Sequence, residues 1–281
     1  MPLMDGITAT REIVSKYPIP IIILTSSVNT KEKYRVFDAL KYGAIEIMEK
    51  PSPIPGFEWD EIVLPLIEKV KHAKEINLIK RRVKEEKKKD FKLNFKKGVQ
   101  VISIASSTGG PSVLNDIFSN LKKDFKIPII VAQHISKGFT EGLVRWLDQN
   151  TPLKVEIASS EKKLEETKIF FPPDGAHITS DGENVKPVFS PPIRGIRPSA
   201  DILFETVSSA FGDTAIGIVL TGMGSDGSKG IKKIKEMGGV TIAQKPETAT
   251  ISSMPENAIK SGFIDYILPP KEIAYFLNTL G

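Results

Sequence analysis

Residues 98–111 read GVQVISIASSTGGP. An apolar, partly β-branched run over 99–105 stops abruptly on Ser106-Ser107-Thr108-Gly109-Gly110, and a helix is expected from 110 to 121. A short apolar run bounded by turn residues is the signature of a strand buried on both faces, as in a parallel sheet. The same alternation continues outward to the C-terminus. Further strands are expected over 127–133, 154–158, 168–171, 215–221, 240–243 and 266–268. Helices are expected over 139–149, 200–211, 225–237, 256–261 and 273–280. Strands alternating with helices imply a three-layer α/β/α domain with a mostly parallel sheet.

Upstream, the pattern is shorter. Helices over 5–15, 30–41 and 60–74 alternate with strands over 18–24 and 44–48. Two strands do not make a stable sheet, so this region reads as the back part of a domain. Between the two regions lies a basic stretch. Lys69 to Lys97 holds 13 Lys/Arg against four acids, a local +9 within a chain of net +5. With few aromatics it reads as a solvated helix or linker rather than a nucleic-acid site. The expected division is 1–75, a linker over 76–97, and a main domain over 98–281.

Composition narrows the chemistry. A chain of 281 residues suits one large or two modest domains, and 40% hydrophobic with 26% charged residues is a globular balance. No apolar run approaches the ~18 residues of a membrane span. MPLMDGITATREIV carries Asp5 and lacks a basic start and apolar core, so no secretory signal is expected. There is no cysteine, which excludes disulfides, thiol nucleophiles and cysteine-held metals. Imidazole comes only from His72, His134 and His177. No metal or cofactor is expected.

In an open parallel sheet, ligands bind at the carboxyl ends of the strands. Three such ends carry Ser107, His134 and Asp226. These are a hydroxyl, an imidazole and a carboxylate, as a nucleophile–base–orienter triad requires. Ser107 is preferred to Ser106 because Ala105-Ser106-Ser107-Thr108-Gly109 resembles the G-x-S-x-G elbow with alanine first. Gly109-Gly110 would leave helix-start amides open to an oxyanion. Taken alone, the segment also fits Ser107 as an N-cap. A lone strand-end histidine is more often a structural hydrogen-bonder, but His72 falls in the charged linker helix. His177, after Pro172-Pro173-Asp174-Gly175-Ala176, could line the pocket or cap a turn.

Gly222-x-Gly224-x-x-Gly227 is a literal dinucleotide fingerprint, following a strand and preceding a helix. The acid expected about 20 residues on is missing, since that strand ends at Gln244-Lys245. Asp226 could also be a helix-start carboxylate favoured by the macrodipole. A nucleotide-binding protein and a non-catalytic signalling module remain the alternatives.

The segments SSTGGP (106–111), QHI-x-x-GFT (133–140), RPSAD (197–201), LTGMGSDG-x-x-G (220–230) and AQ-x-x-x-T (243–248) resemble the catalytic domain of the chemotaxis protein-glutamate methylesterases. The resemblance runs over essentially all of residues 99–281. It implies hydrolysis of glutamyl γ-methyl esters on the cytoplasmic helices of chemoreceptors, deamidation of receptor glutamines, and a cytoplasmic, monomeric enzyme. It implies Ser107, His134 and Asp226 as the triad, with Met223 donating its amide to the oxyanion and Thr108 beside it. Ala105, Ile135 and Ser253 stand where glycine, methionine and glycine are common in that family. Arg194 and Arg197 are candidates for holding an acidic receptor helix.

MPLMDG (1–6), Thr25 and Lys50-Pro51 resemble the later part of a response-regulator receiver domain of two-component signalling, served by a chemotaxis histidine kinase. The receiver's phospho-accepting aspartate normally precedes the loop. The chain is therefore expected to lack it and to be indifferent to a small phosphodonor.

Overall fold

The computed structural model describes residues 4–17, 19–25, 36–50, 59–73 and 98–280. The linker expected over 76–97, Pro51 and most of the helix expected over 30–41 lie outside the described residues, as does the side chain of His72. The chain divides into two compact units, Met1–Asp90 and Phe91–Gly281.

In the first unit, α1 (Gly6–Lys16) starts where the Asp5 carboxylate accepts the Thr8 N–H at 2.7 Å, a standard side-chain cap. Strands β1 (Ile21–Thr25) and β2 (Ala44–Glu49) pair in parallel, followed by α3 (Trp59–Ala73); α2 is the short Asp38–Lys41. At the strand ends the Lys50 N–H donates to the Thr25 carbonyl at 2.8 Å. Thr25 and Lys50 are thus neighbours on one sheet edge.

The second unit is built on seven parallel strands: β3 (Val101–Ser106), β4 (Ile129–Gln133), β5 (Lys154–Ile157), β7 (Lys168–Phe171), β10 (Ala215–Val219), β11 (Val240–Gln244) and β12 (Tyr266–Leu268). Their order across the sheet is β12-β11-β10-β3-β4-β7-β5. Every strand of the expected main-domain set is present, within a few residues at its ends.

Alternate residues of the strands serve opposite faces. Val101, Ala105, Ile130, Ala132, Ala215 and Val219 join one cluster with helices α6 (Ala200–Phe211), α7 (Ser228–Glu236) and α8 (Ser253–Lys260). Their strand neighbours Ile102, Ile104, Ile129, Val131, Ile216 and Ile218 are also fully buried, and so require a second layer. Helices α4 (Gly110–Phe118), α5 (Thr140–Asn150) and α9 (Pro270–Asn278) are the others, α4 packing against both α5 and α9. Burial on both faces is why these strands read as continuous apolar runs.

From β3 the chain passes to β4 on one side and later returns to β10 on the other. This reversal is the topological switch point, where an open α/β sheet leaves a crevice. Ser107 follows β3, His134 follows β4 and Asp226 follows β10.

The sequence reading missed a small antiparallel sheet, β6 (Lys162–Lys163), β9 (Asn184–Val188) and β8 (His177–Ser180), in the order β6-β9-β8. Its strands are short and polar, and Pro187 sits inside β9 opposite Ile178, a residue that argues against a strand in sequence. Asp181-Gly182 between β8 and β9 was the available hairpin signal.

Candidate active site

The two serines after β3 have different surroundings. Ser106 is fully buried, and its hydroxyl donates to Gln133 Oε1 at 2.6 Å. Ser107 is half-buried, and its Oγ has no hydrogen-bond partner among the described residues. Its backbone is held instead. The Ser107 N–H donates to the Thr221 carbonyl at 2.9 Å, and its carbonyl accepts from the Gly110 N–H at 2.8 Å and Gln133 Nε2 at 2.9 Å. The N-cap of α4 is Gly109, in the left-handed region at φ 78, with no side-chain capping bond. Ser107 therefore does not cap the helix, and its hydroxyl is free for other use.

Gln133 was not singled out in sequence. Its Nε2 spends both hydrogens, on the carbonyls of Ser107 (2.9 Å) and His134 (2.7 Å), while Oε1 takes the Ser106 hydroxyl. Carbonyls only accept, so this assignment of the amide is chemically required. One buried side chain thus ties the residue after β3 to the residue after β4.

The His134 N–H donates to the Ser106 carbonyl at 2.9 Å. Its ring meets Asp226, with Nε2 and Oδ2 2.9 Å apart. No hydrogen bond joins the ring to Ser107 in this structure; such contacts commonly tighten only when substrate is bound.

Asp226 is buried and surrounded by donors. Besides His134 it accepts from the Ala200 N–H (2.6 Å), the Ser199 hydroxyl (3.0 Å) and the Asp201 N–H (3.3 Å). The last three belong to the start of α6, whose positive end favours a carboxylate. Burial pushes the Asp226 carboxyl up, but the His134 hydrogen bond, the Ala200 amide, the His134 charge and the Ser199 hydroxyl together hold it below the usual carboxylate range. It is the ionised partner that an imidazole base needs.

The loop after β10 packs against Ser107. A Cβ at Gly222 would lie 2.6 Å from Ser107 Cβ and 2.3 Å from Met254 Sδ. The glycine is thus required by its close contact with Ser107 and Met254. Gln244, where a ribose-binding acid would be looked for, accepts the Thr221 N–H at 2.8 Å and donates to the Thr248 carbonyl at 3.0 Å. The dinucleotide reading of this motif does not fit.

Met223 is half-buried and Thr108 is buried, and neither backbone N–H has an acceptor among the described residues. The Ser253 hydroxyl brackets Met223, accepting the Gly224 N–H and donating to the Gly222 carbonyl, both at 3.1 Å. A cleft of about 200 Å³ adjoins His134 through its chain neighbours Gln133 and Ile135, with Phe171, Pro173, Arg197 and Pro198 in its walls. Arg197 and Arg194 are exposed. His177, by contrast, is fully buried and does not line the cleft.

The sequence profile of the CheB methylesterases matches residues 102–277. Protein-glutamate methylesterase/protein-glutamine glutaminase 4 of Geobacter metallireducens is 33% identical over 288 residues, covering 100% of this chain and 83% of its own length. The protein-glutamate methylesterase/protein-glutamine glutaminase of Pyrococcus horikoshii is 36% identical, covering 97% of this chain and 76% of its own. The catalytic domain of Thermotoga maritima CheB methylesterase superposes with a TM-score of 0.63 at 34% identity, over 66% of this chain and 100% of that domain. No helix among the described residues is long and apolar enough to cross a membrane.

Proposed function

The chain belongs to the CheB methylesterase family, and on that premise we propose that it hydrolyses glutamyl γ-methyl esters of chemoreceptors through Ser107, His134 and Asp226. The observation that carries the reading is the 2.9 Å contact of His134 Nε2 with the buried Asp226 carboxylate, beside an uncommitted Ser107 hydroxyl. Asp226 takes Nε2, which leaves Nδ1 to receive the serine proton. In the serine-protease template the two nitrogens have the opposite assignments.

Ser107 Oγ attacks the ester carbonyl while His134 Nδ1 takes its proton. Asp226 holds the ring and stabilises the imidazolium. The oxyanion that forms is met by the N–H groups of Met223 and Thr108. Collapse expels methoxide, which leaves as methanol with the proton from His134. Water, deprotonated by the same nitrogen, then cleaves the glutamyl-serine ester and restores the hydroxyl. A glutamine side chain follows the same course with ammonia as the leaving group.

The partner we assign is the cytoplasmic helix of a methylated chemoreceptor, met by Arg194 and Arg197, with the enzyme acting in the cytoplasm as a monomer. Thr25 and Lys50 belong, on this reading, to a receiver-like unit addressed by a chemotaxis histidine kinase. Methanol release from methylated receptor tests the assignment. Ser107→Ala should lower kcat by at least about 10⁴-fold and should no longer be labelled by a serine-directed phosphonate. Near-normal turnover by that variant would overturn it.

A further inference from the structure

A second histidine is joined to Asp226 through Ser199. His177 is the first residue of β8 and is fully buried. Its Nδ1 accepts the Ser199 N–H at 2.9 Å, and its Nε2 lies 3.2 Å from the Pro191 carbonyl. An amide can only donate and a carbonyl can only accept. The ring therefore carries its proton on Nε2 and is bare at Nδ1. Ser199, also fully buried, donates its hydroxyl to Asp226 Oδ1 at 3.0 Å, and the next two amides donate to the same carboxylate.

We infer that His177 is a positioning residue for the reaction: through Ser199 it fixes the start of α6, and so the direction in which Asp226 presents its carboxylate to His134. This rests on the assignment of Ser107, His134 and Asp226 above. Four residues form one continuous line, His134–Asp226–Ser199–His177, Ser199 reaching Asp226 with its hydroxyl and His177 with its backbone N–H, and only the first two were legible as chemistry. The Ser199 N–H opens α6, and its bond to His177 satisfies an amide that no residue of its own helix can accept. Without that acceptor the helix start can rotate, and a shift of about 1 Å at a catalytic group is worth about 10²-fold.

The test compares His177→Asn with His177→Leu in the full chain. An asparagine Oδ1 falls near the Nδ1 position and can accept the Ser199 N–H; leucine cannot. His177→Leu should lower kcat for methyl ester hydrolysis by about tenfold with KM within twofold, and should shift or abolish the downfield proton resonance of the His134–Asp226 hydrogen bond. His177→Asn should restore kcat to within about threefold and keep the resonance. If the leucine variant does not fold, His177→Asn carries the test alone: with the acceptor kept it should hold kcat within about threefold of the parent and keep the resonance. A parent-like kcat and resonance in the leucine variant, or the loss of both in a folded His177→Asn variant, would overturn the inference. Ser107→Ala separates the two levels: if it is inactive while His177→Leu is normal, the triad stands and this role falls.

Discussion

Asp226 and Asp201 each bind the start of the helix that belongs to the other. Asp226, two residues before α7, accepts from the amides of Ala200 and Asp201 at the start of α6. Asp201, in the first turn of α6, accepts from the amides of Gly227, Lys229 and Gly230 at 3.0, 3.1 and 2.8 Å. Each carboxylate sits at a positive helix end, and each locks the element that carries the other. The two are not equivalent. Burial raises the Asp201 carboxyl above its usual value, amide bonds from Gly230 and its neighbours oppose this, and the charge of Asp226 adds to the rise. The His134 contact is what sets Asp226 apart, and it is the carboxylate held low.

The first prediction concerns pH. A carboxyl with a lowered native pKa stabilises the fold above its unfolded value, about 4, and loses that contribution as pH falls through the native value. Asp226→Asn should therefore be less stable than the parent at pH 7, with the gap closing as pH drops below about 4. Urea unfolding of both proteins at pH 7 and pH 3 measures it. At pH 7 the same variant should lose about 10⁴-fold in kcat. A stability gap that widened in acid would contradict the sign.

The second concerns the Ser253 clip around Met223. Ser253→Ala removes both bonds that fix the Gly222 carbonyl and the Gly224 amide. A net hydrogen bond contributes about 0.5–1.5 kcal/mol, so kcat should fall by about three- to tenfold with KM unchanged, and Ser253→Thr should keep most of the rate. Steady-state methanol release by the two variants decides it; an alanine variant with parental kcat would show that the loop needs no clip.

The third concerns the contact of Gly222 with Ser107, the proposed nucleophile. Gly222→Ala places a methyl group 2.6 Å from Ser107 Cβ and 3.1 Å from Ser107 N, contacts that cannot exist without displacement. Moving Ser107 by about 1 Å should lower kcat by about 10²-fold. Phosphonate labelling rates and circular dichroism together separate a displaced serine from an unfolded chain.

Much of this was legible in one dimension. The seven parallel strands are three to six residues long, and at the centre of the sheet double-sided burial makes them visible as apolar runs without knowing their order. Ser107, His134 and Asp226 could be placed at strand ends for the same reason. The antiparallel sheet was not legible, because HITS and NVKPV (177–180 and 184–188) have neither a clean alternation nor an apolar core. It matters because it carries His177.

Sequence by itself determined which residues end the strands, and hence which side chains could reach the crevice. Tertiary structure decided their partners: Ser106 spent on Gln133, Asp226 shared between His134 and the start of α6, and His177 turned inward to Ser199 rather than toward the cleft. The physical reason is range. A strand or helix is specified by neighbours a few positions away, whereas His134 and Asp226 are separated by 92 residues. Contacts of that span depend on strand order and register, which place side chains only after the sheet has assembled.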